Sequence, residues 1–135
     1  MATRSRIGME LENGTIKSIY CHWDGYPSHN GRILLEHYQD AEKVKALIEL
    51  GDISSLEKEV STDAPHSFEK PCDEVTVAYH RDRGEPFNSR TNKDLECFLT
   101  SDIEEYGYVF TKEGEWLVAG SGRGYKPLKE VLKKY

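Results

Sequence analysis

Near the start of the chain, hydrophobic and polar residues alternate at the period of a β-strand, in two segments separated by a turn signal. Residues 3–9 and 15–23 form these segments, and Asn13-Gly14 lies between them. Both residues of an Asn-Gly pair tolerate the positive φ that a tight hairpin turn requires. The pattern therefore predicts that the two segments pair as a β-hairpin.

The last third of the chain repeats this signal. Residues 106–112 and 115–119 flank Glu113-Gly114 and predict a second hairpin. Between the two hairpins, residues 75–80 have the β-branched and aromatic composition of a strand. We therefore expect about five strands in total.

The spacing of apolar residues predicts four short helices: one that carries Ile33, Leu34, His37 and Tyr38, one between Asp40 and Gly51, one over residues 92–100, and one from Pro127 to Tyr135. Ser28 or Asn30 is expected to cap the first helix, and Asp40 the second. Gly51 is expected just beyond the second helix, because glycine adopts the left-handed backbone that ends many helices.

Residues 52–74 and 81–86 are predicted to be loops, because polar and turn-forming residues dominate them. The elements together predict a single α+β domain over residues 1–135. Its antiparallel sheet of about five strands would carry three or four short helices packed on it.

The composition limits the classes of function. Lys and Arg number 18 and Asp and Glu number 24, so the net charge is −6, which argues against broad nucleic-acid binding. No apolar run approaches the roughly 18–20 residues that span a bilayer, and the charged first residues lack the apolar core of a signal peptide. We expect a cytoplasmic protein with no membrane partner, in which Cys21, Cys72 and Cys97 are reduced thiols.

Most arginines fall at predicted strand ends and in loops, whereas lysines fall mainly on the predicted helices. Arginine offers a planar fork that binds phosphate at two points. The candidates for an anion-binding pocket are Arg4, Arg6, Arg81, Arg83, Arg90 and Arg123. The alternative is that these arginines pair with the numerous acidic residues, as the sequence Arg81-Asp82-Arg83 suggests.

The densest cluster of aromatic and reactive side chains is the run from Tyr20 to Pro27. Trp23 and Tyr26 could stack on a base or sugar, and Asp24 could accept hydrogen bonds from ribose hydroxyls or orient His22. The alternative is structural, because a Trp at a strand end often fills a core and Asp-Gly is a turn signal.

A nucleophilic Cys21–His22 pair is disfavoured, because neighbouring residues of a strand point to opposite faces. His22, His29 and His37 fit no familiar metal-ligand spacing. No cofactor, metal site or catalytic residue is therefore predicted.

Two further segments resemble ligand-binding loops. Three glycines between Gly120 and Gly124 could turn backbone N–H groups toward an anion, with Arg123 and Tyr125 beside it. This segment matches no phosphate-loop motif, and a flexible link between strand and helix is the alternative. Phe87, Asn88 and Arg90 could clamp a nucleotide-like ligand.

The chain resembles a family of small phage- and prophage-encoded proteins, most of them uncharacterised. The resemblance is carried by residues 3–8 (TRSRIG) and 19–27 (IYCHWDGYP), and by Leu34-Leu35, His37-Tyr38 and residues 51–54 (GDIS). It implies a phage product that acts in the host cytoplasm, and it supplies no catalytic motif.

Small phage proteins without an enzyme signature often act against host defence, as the Thoeris anti-defence sponges do. We therefore expect a protein that sequesters a small phosphate-bearing immune signal of the cyclic-nucleotide or cyclised ADP-ribose type. Because a chain of this size has little room to enclose such a ligand, the site would lie between protomers of a homo-oligomer. The alternatives are a protein inhibitor that acts through its acidic surface on a host nuclease or defence effector, and a small hydrolase that uses His22 and Asp24.

Overall fold

A computed structural model describes residues 3–60, 74–101, 103–120 and 124–133. The strands in these residues are β1 (Ser5–Glu10), β2 (Ile16–Cys21), β3 (Ile53–Ser55), β4 (Val77–Ala78), β5 (Arg90–Asn92), β6 (Tyr106–Phe110), β7 (Trp116–Gly120) and β8 (Tyr125–Pro127). The helices are α1 (Arg32–His37), α2 (Ala41–Ile48), α3 (Tyr79–Arg83), α4 (Leu95–Thr100) and α5 (Leu128–Leu132), and a π-helix (Pro27–Gly31) leads into α1.

The eight strands of these described residues form one open sheet in the order β4-β3-β2-β1-β6-β7-β8, and β5 pairs with β2. The pairs β1–β6 and β2–β3 are parallel, and the other pairs of strands are antiparallel. The chain is therefore α+β, as predicted. The prediction of an antiparallel sheet of about five strands is wrong, because the two hairpins join through parallel β1 and β6.

Both predicted hairpins are confirmed. β1 pairs with β2, and β6 pairs with β7, each in antiparallel register. In the first turn, the side chain of Asn13 accepts a hydrogen bond from the Thr15 N–H at 3.0 Å. Gly14 and Gly114 have φ values of 88° and 86°, the left-handed backbone that glycine adopts without strain.

The prediction for α2 is confirmed at both ends. The Asp40 side chain accepts a hydrogen bond from the N–H of Glu42 at 3.1 Å, and Gly51 follows the helix with φ of 76°. The predicted cap of the preceding helix is wrong. The π-helix replaces a simple start there, the cap position of α1 is Gly31, and Asn30 is buried.

The middle of the chain differs most from the prediction. The strand predicted over residues 75–80 is reduced to β4. The last two residues of that predicted strand begin α3, and the first three residues of the predicted loop 81–86 complete the helix. The turn into α3 is stabilised by Asp82, whose carboxylate accepts a hydrogen bond from the Ala78 N–H at 2.8 Å. The short strands β3, β5 and β8 were not predicted, because three residues are too few to show an alternating pattern.

The two faces of the sheet are covered unequally. The face that we call the helical face packs against α1, α2 and α5, and its strand residues include Ile7, Ile19, Tyr108 and Val118. The opposite face, the α4 face, packs against α4 and Ile103 through a smaller cluster of Ile16, Val109 and Ala119. Within the described ranges, no helix combines the length and apolar character needed to cross a membrane.

Candidate functional site

Several of the segments singled out in the sequence meet at one end of the sheet. Cys21, Ser5, Tyr106 and Gly120 are register partners across β2, β1, β6 and β7, and they mark this end. The arginines that precede and follow Ser5, the run that begins at Tyr20, and the first glycine of the Gly120–Gly124 segment therefore lie near one another. Arg123 lies outside the described residues.

A cluster of polar and aromatic side chains lies at this end of the sheet. We call it the Tyr20 cluster, and it consists of Arg4, Tyr20, His22, Trp23 and Glu104. The Tyr20 hydroxyl lies 2.7 Å from Nδ1 of His22, and Nε of Arg4 lies 3.9 Å from a carboxylate oxygen of Glu104. The rings of His22 and Trp23 meet edge to face with their centroids 4.8 Å apart.

Tyr20 is a neutral phenol at neutral pH, because the ordinary pKa of tyrosine is about 10 and the surroundings of Tyr20 raise its pKa further. Burial raises the pKa of the Tyr20 phenol, the charge of Glu104 raises it further, and the Arg4 guanidinium opposes both effects. A neutral phenol can donate its proton to Nδ1 of His22. In that arrangement the ring proton of His22 sits on Nε2, where it is available as a donor.

The loop that follows β2 is held in an unusual conformation. Asp24 has φ of 54°, a left-handed backbone that is uncommon outside glycine. A Cβ at Gly25 would lie 2.7 Å from Cβ of Ser5, so only glycine fits where the loop after β2 crosses the start of β1. The Gly25 N–H donates to the Thr3 carbonyl at 2.7 Å, and the Gly25 carbonyl accepts from the Tyr108 hydroxyl at 2.6 Å.

The buried side chain of Asn30 also holds this loop in place. The sequence indicates Asn30 only as a possible N-cap of the first helix. Its side-chain N–H group lies within 3.3 Å of both the Cys21 sulfur and the Trp23 carbonyl. The exposed fractions of Trp23 and Tyr26 are 46% and 37%. The loop is therefore anchored through its backbone while its aromatic side chains face solvent.

Cys21 does not supply a nucleophile. Its side chain is fully buried, and burial raises the pKa of its thiol to about 12. The thiol also donates to the Trp23 carbonyl at 3.5 Å. At neutral pH it is a protonated core residue, whereas the imidazole of His22 contacts Tyr20 instead.

Arg6 and Arg90 both lie next to Ser18 on the α4 face, and not in the Tyr20 cluster. Arg6 is buried and donates from Nε to the Ser18 hydroxyl at 3.2 Å and from Nη2 to the Ser18 carbonyl at 3.3 Å. Arg90 is the register partner of Ser18, and its Nη1 lies 3.4 Å from the Ser101 hydroxyl. These two arginines therefore organise the interior beside the Tyr20 cluster.

Arg81 and Arg83 lie in α3, not in a loop. Arg81 donates to the backbone carbonyls of Val60 and Thr76, each at 2.6 Å, and contacts the Asp82 carboxylate at 2.9 Å. Arg83 lies 2.9 Å from the carboxylate of Glu85. Both arginines therefore contact acidic side chains, which is the alternative that the sequence left open, and Arg81 also donates to backbone carbonyls.

Of the remaining predicted site residues, Asn88 is linked to this cluster only through Asp52, whose carboxylate accepts a hydrogen bond from the Tyr20 N–H at 2.9 Å. Phe87 is exposed and packs edge to face on His80 at 5.8 Å, and the Asn88 carbonyl accepts from the Asp52 N–H at 2.9 Å. Tyr125 is exposed on β8, opposite Ala119. In the described part of the chain, no hydrogen bond, ion pair or ring contact joins Phe87, Asn88 or Tyr125 to the Tyr20 cluster.

Neither of two surface grooves involves a predicted site residue. One, of about 400 Å³, is lined by Leu35, Gln39, Gly114, Glu115, Trp116 and Lys129. The other, of about 460 Å³, is lined by Met9, Leu11, Lys17, Lys45, Ile48 and Glu49. Among the residues that the structure describes, no three His, Cys, Asp or Glu side chains are grouped so that they could hold a metal ion.

Comparison with known proteins finds no match: no protein-family model, no curated protein and no solved structure matches the chain.

Proposed function

We propose that this protein binds a small phosphate-bearing ligand of the nucleotide type at the Tyr20 cluster and holds it without converting it. We further propose that this binding sequesters a host immune signal, of the cyclic-nucleotide or cyclised ADP-ribose type, in the host cytoplasm. The observation that carries the proposal is the meeting of Arg4, His22 and Trp23 at one end of the sheet.

Arg4 is the residue best suited to meet a phosphate. Its side chain is 51% exposed, and its distance of 3.9 Å from Glu104 is long for a charge-assisted hydrogen bond. The exposed guanidinium can therefore reach a phosphate from its present place, where it hydrogen-bonds the Tyr20 side chain and lies beside Glu104, whose side chain is 21% exposed. Nε2 of His22, oriented by the hydrogen bond between Nδ1 and Tyr20, supplies a second donor.

The loop after β2 offers surfaces for the rest of a nucleotide. Trp23 and Tyr26 are exposed aromatic residues, and stacking on an aromatic ring is worth about 1–3 kcal/mol for a base in single-stranded nucleic-acid complexes. The carboxylate of Asp24 lies between them in sequence and can accept hydrogen bonds from ribose hydroxyls. This combination favours a nucleotide over inorganic phosphate.

Binding is a better match to the cluster than hydrolysis. The buried thiol of Cys21 stays protonated, and the close partner of His22 is a neutral phenol rather than a hydroxyl or thiol nucleophile prepared for attack. Nucleophilic catalysis requires a nucleophile and a base in contact. The groups of the Tyr20 cluster can hold and orient an anion.

A second protomer would complete the site. The cluster lies on an open surface, whereas small-molecule sites bury most of their ligand. In a symmetric homo-oligomer two copies of the cluster can face each other and share one ligand. The role against host defence depends on the resemblance to phage proteins, and the binding chemistry does not.

The experiment that tests this proposal is a titration of the purified full chain with cyclic dinucleotides, ADP-ribose and cyclised ADP-ribose isomers, followed by calorimetry. The complex is then heated, and the released ligand is identified by chromatography. Release of intact ligand supports sequestration, and conversion of the ligand makes the protein an enzyme. No binding at micromolar ligand overturns the proposal.

A variant pair locates the site. Arg4→Gln removes the exposed guanidinium of the cluster, and we expect affinity to fall by roughly 10- to 100-fold, the loss of one or two charge-assisted hydrogen bonds. Arg32→Gln is the matched control, because Arg32 is 44% exposed on α1 and pairs with Glu36. Equal affinities of the two variants would remove the Tyr20 cluster from the site.

A further inference from the structure

A second candidate site lies on the helical face, at the opposite end of the β1–β2 hairpin from the Tyr20 cluster. It is the groove of about 460 Å³ between this hairpin and α2, which we call the hairpin groove. Its hairpin side is formed by Met9, Leu11 and Lys17, and its helix side by Lys45, Ile48 and Glu49.

The sequence builds this groove by simple periodicity. Met9 and Lys17 are register partners on β1 and β2, so their side chains share a face of the sheet. Lys45 and Ile48 of α2, together with Glu49 at the cap position just after the helix, are spaced i, i+3 and i+4 and lie along one stripe. The exposed fraction of Ile48 is 3%, which makes it a buried part of the lining, whereas Leu11 is 38% exposed.

The charges of the groove are unequal. Two ammonium groups, those of Lys17 and Lys45, share it with the single carboxylate of Glu49. Within the described residues, neither lysine has a carboxylate within 4.0 Å, and Glu49 forms no ion pair either. The groove therefore combines an apolar side with two cations that no carboxylate of the described residues approaches within 4.0 Å.

The size of the groove favours a small molecule over a protein. Small-molecule sites occupy about 300–1,000 Å³, and the hairpin groove falls in this range. A stable protein interface uses roughly 20–30 residues on each side, far more than the lining of this groove.

We propose that the hairpin groove binds a small anionic amphiphile, a carboxylate that carries an aliphatic chain. The carboxylate would meet the ammonium groups of Lys17 and Lys45, and the chain would lie along Met9, Leu11 and Ile48. This site is separate from the Tyr20 cluster and does not depend on the proposed function.

The test uses sodium decanoate, titrated below its micelle-forming concentration into the full ¹⁵N-labelled chain and followed by NMR. We expect saturable shifts of the amides at residues 9–11, 17 and 45–49. Decyltrimethylammonium, which has a chain of the same length and the opposite charge, should bind at least about 10-fold more weakly. Similar binding of the two compounds, or no saturable shift with decanoate, overturns the proposal without any variant.

Variants then identify the charged partners. The double variant Lys17→Gln/Lys45→Gln should weaken decanoate binding by roughly 10-fold while the dispersion of the spectrum is unchanged. Lys129→Gln is the matched control, because Lys129 is exposed on α5 and lines the other groove. Binding that survives the double variant, or shifts that depend on protein concentration and reflect contact between copies of the chain, would contradict the assignment.

Discussion

The two faces of the sheet differ in how their polar groups are used. On the helical face, polar atoms serve the core: Nε1 of Trp116 donates to the Tyr38 carbonyl at 2.7 Å, and the Tyr38 hydroxyl donates to the Glu57 carbonyl at 2.7 Å. On the α4 face, Arg6, Ser18 and Tyr20 form a polar strip beside a small apolar cluster. The interior of the helical face is mainly apolar with a few hydrogen-bonded polar atoms, whereas the α4 face places a charged side chain, Arg6, among its buried residues.

Glycines allow close packing on the α4 face. A Cβ at Gly107 would lie 3.0 Å from Cβ of Ile103, and a Cβ at Gly8 would lie 2.9 Å from Cγ2 of Ile16. Gly107 therefore lets Ile103 pack closely on β6, and Gly8 lets the side chains of β2 pack closely beside β1.

The strongest test of this contrast uses two isoleucines of the same strand. Ile19 and Ile16 are both fully buried on β2. Ile19 belongs to the core of the helical face, and Ile16 belongs to the smaller cluster of the α4 face. Truncation of a buried isoleucine to alanine costs about 2–5 kcal/mol, and the cost falls where the surroundings can close on the cavity. We expect about 4 kcal/mol for Ile19→Ala and about 2–3 kcal/mol for Ile16→Ala.

Urea unfolding followed by circular dichroism measures both free energies of unfolding. The difference between the variants has a physical cause, because one short helix can shift into a cavity more easily than three helices that share one core cluster with the sheet. Equal losses of stability would mean that the two faces contribute equally, and the contrast between them would be wrong.

A second, smaller effect concerns the buried charge of the α4 face. Arg6→Leu removes the donors to the hydroxyl and carbonyl of Ser18. Hydrogen bonds from a charged group are worth about 1.5–3 kcal/mol, so we expect a loss of about 2–3 kcal/mol. Arg32→Leu, on the surface of α1, should cost less than about 0.5 kcal/mol.

Thermal and urea unfolding of the two variants give this comparison directly. If Arg6→Leu were as stable as the wild type, the polar strip would be replaceable by apolar packing. Arg6 would then not be needed for the stability of the fold.

The sequence predicted those parts of the molecule whose signals are local. Asn13-Gly14 and Asp40 each determine a turn or a helix start through their own backbone and side chain, and both predictions are confirmed. The parallel pairing of β1 with β6 could not be predicted, because it joins residues about a hundred positions apart. The short strands β3 and β5 form only because β2 offers them an edge.

The candidate site was predictable to a similar extent. The residue types of the run from Tyr20 to Pro27 indicated a cluster, and their position at a sheet end follows from the first hairpin. Which arginine faces solvent could not be predicted. Arg4 and Arg6 are two residues apart, yet one is exposed and the other is covered by tertiary packing on the α4 face.

The smallest predicted effect is a dependence of stability on alkaline pH, and it arises on the helical face. Burial raises the pKa of Tyr38 from 10.0 to about 12. An acid whose folded pKa is raised stabilises the fold below its unfolded pKa, and this contribution is lost as pH rises through the folded pKa. Between pH 9 and pH 11 the wild type should therefore lose roughly 1–1.5 kcal/mol through this residue.

Tyr38→Phe isolates that contribution. The variant loses the hydrogen bond to the Glu57 carbonyl and should be less stable than the wild type by about 1 kcal/mol at pH 8. Phenylalanine has no proton to lose, so the variant does not share the alkaline loss of stability that Tyr38 causes. The buried thiol of Cys21 titrates equally in both proteins. The free energies of unfolding of the variant and the wild type should therefore become nearly equal by pH 11. A difference that stayed constant from pH 8 to pH 11 would mean that Tyr38 reaches water when it ionises. The helical face would then be open at this point, and its contrast with the α4 face would be weaker.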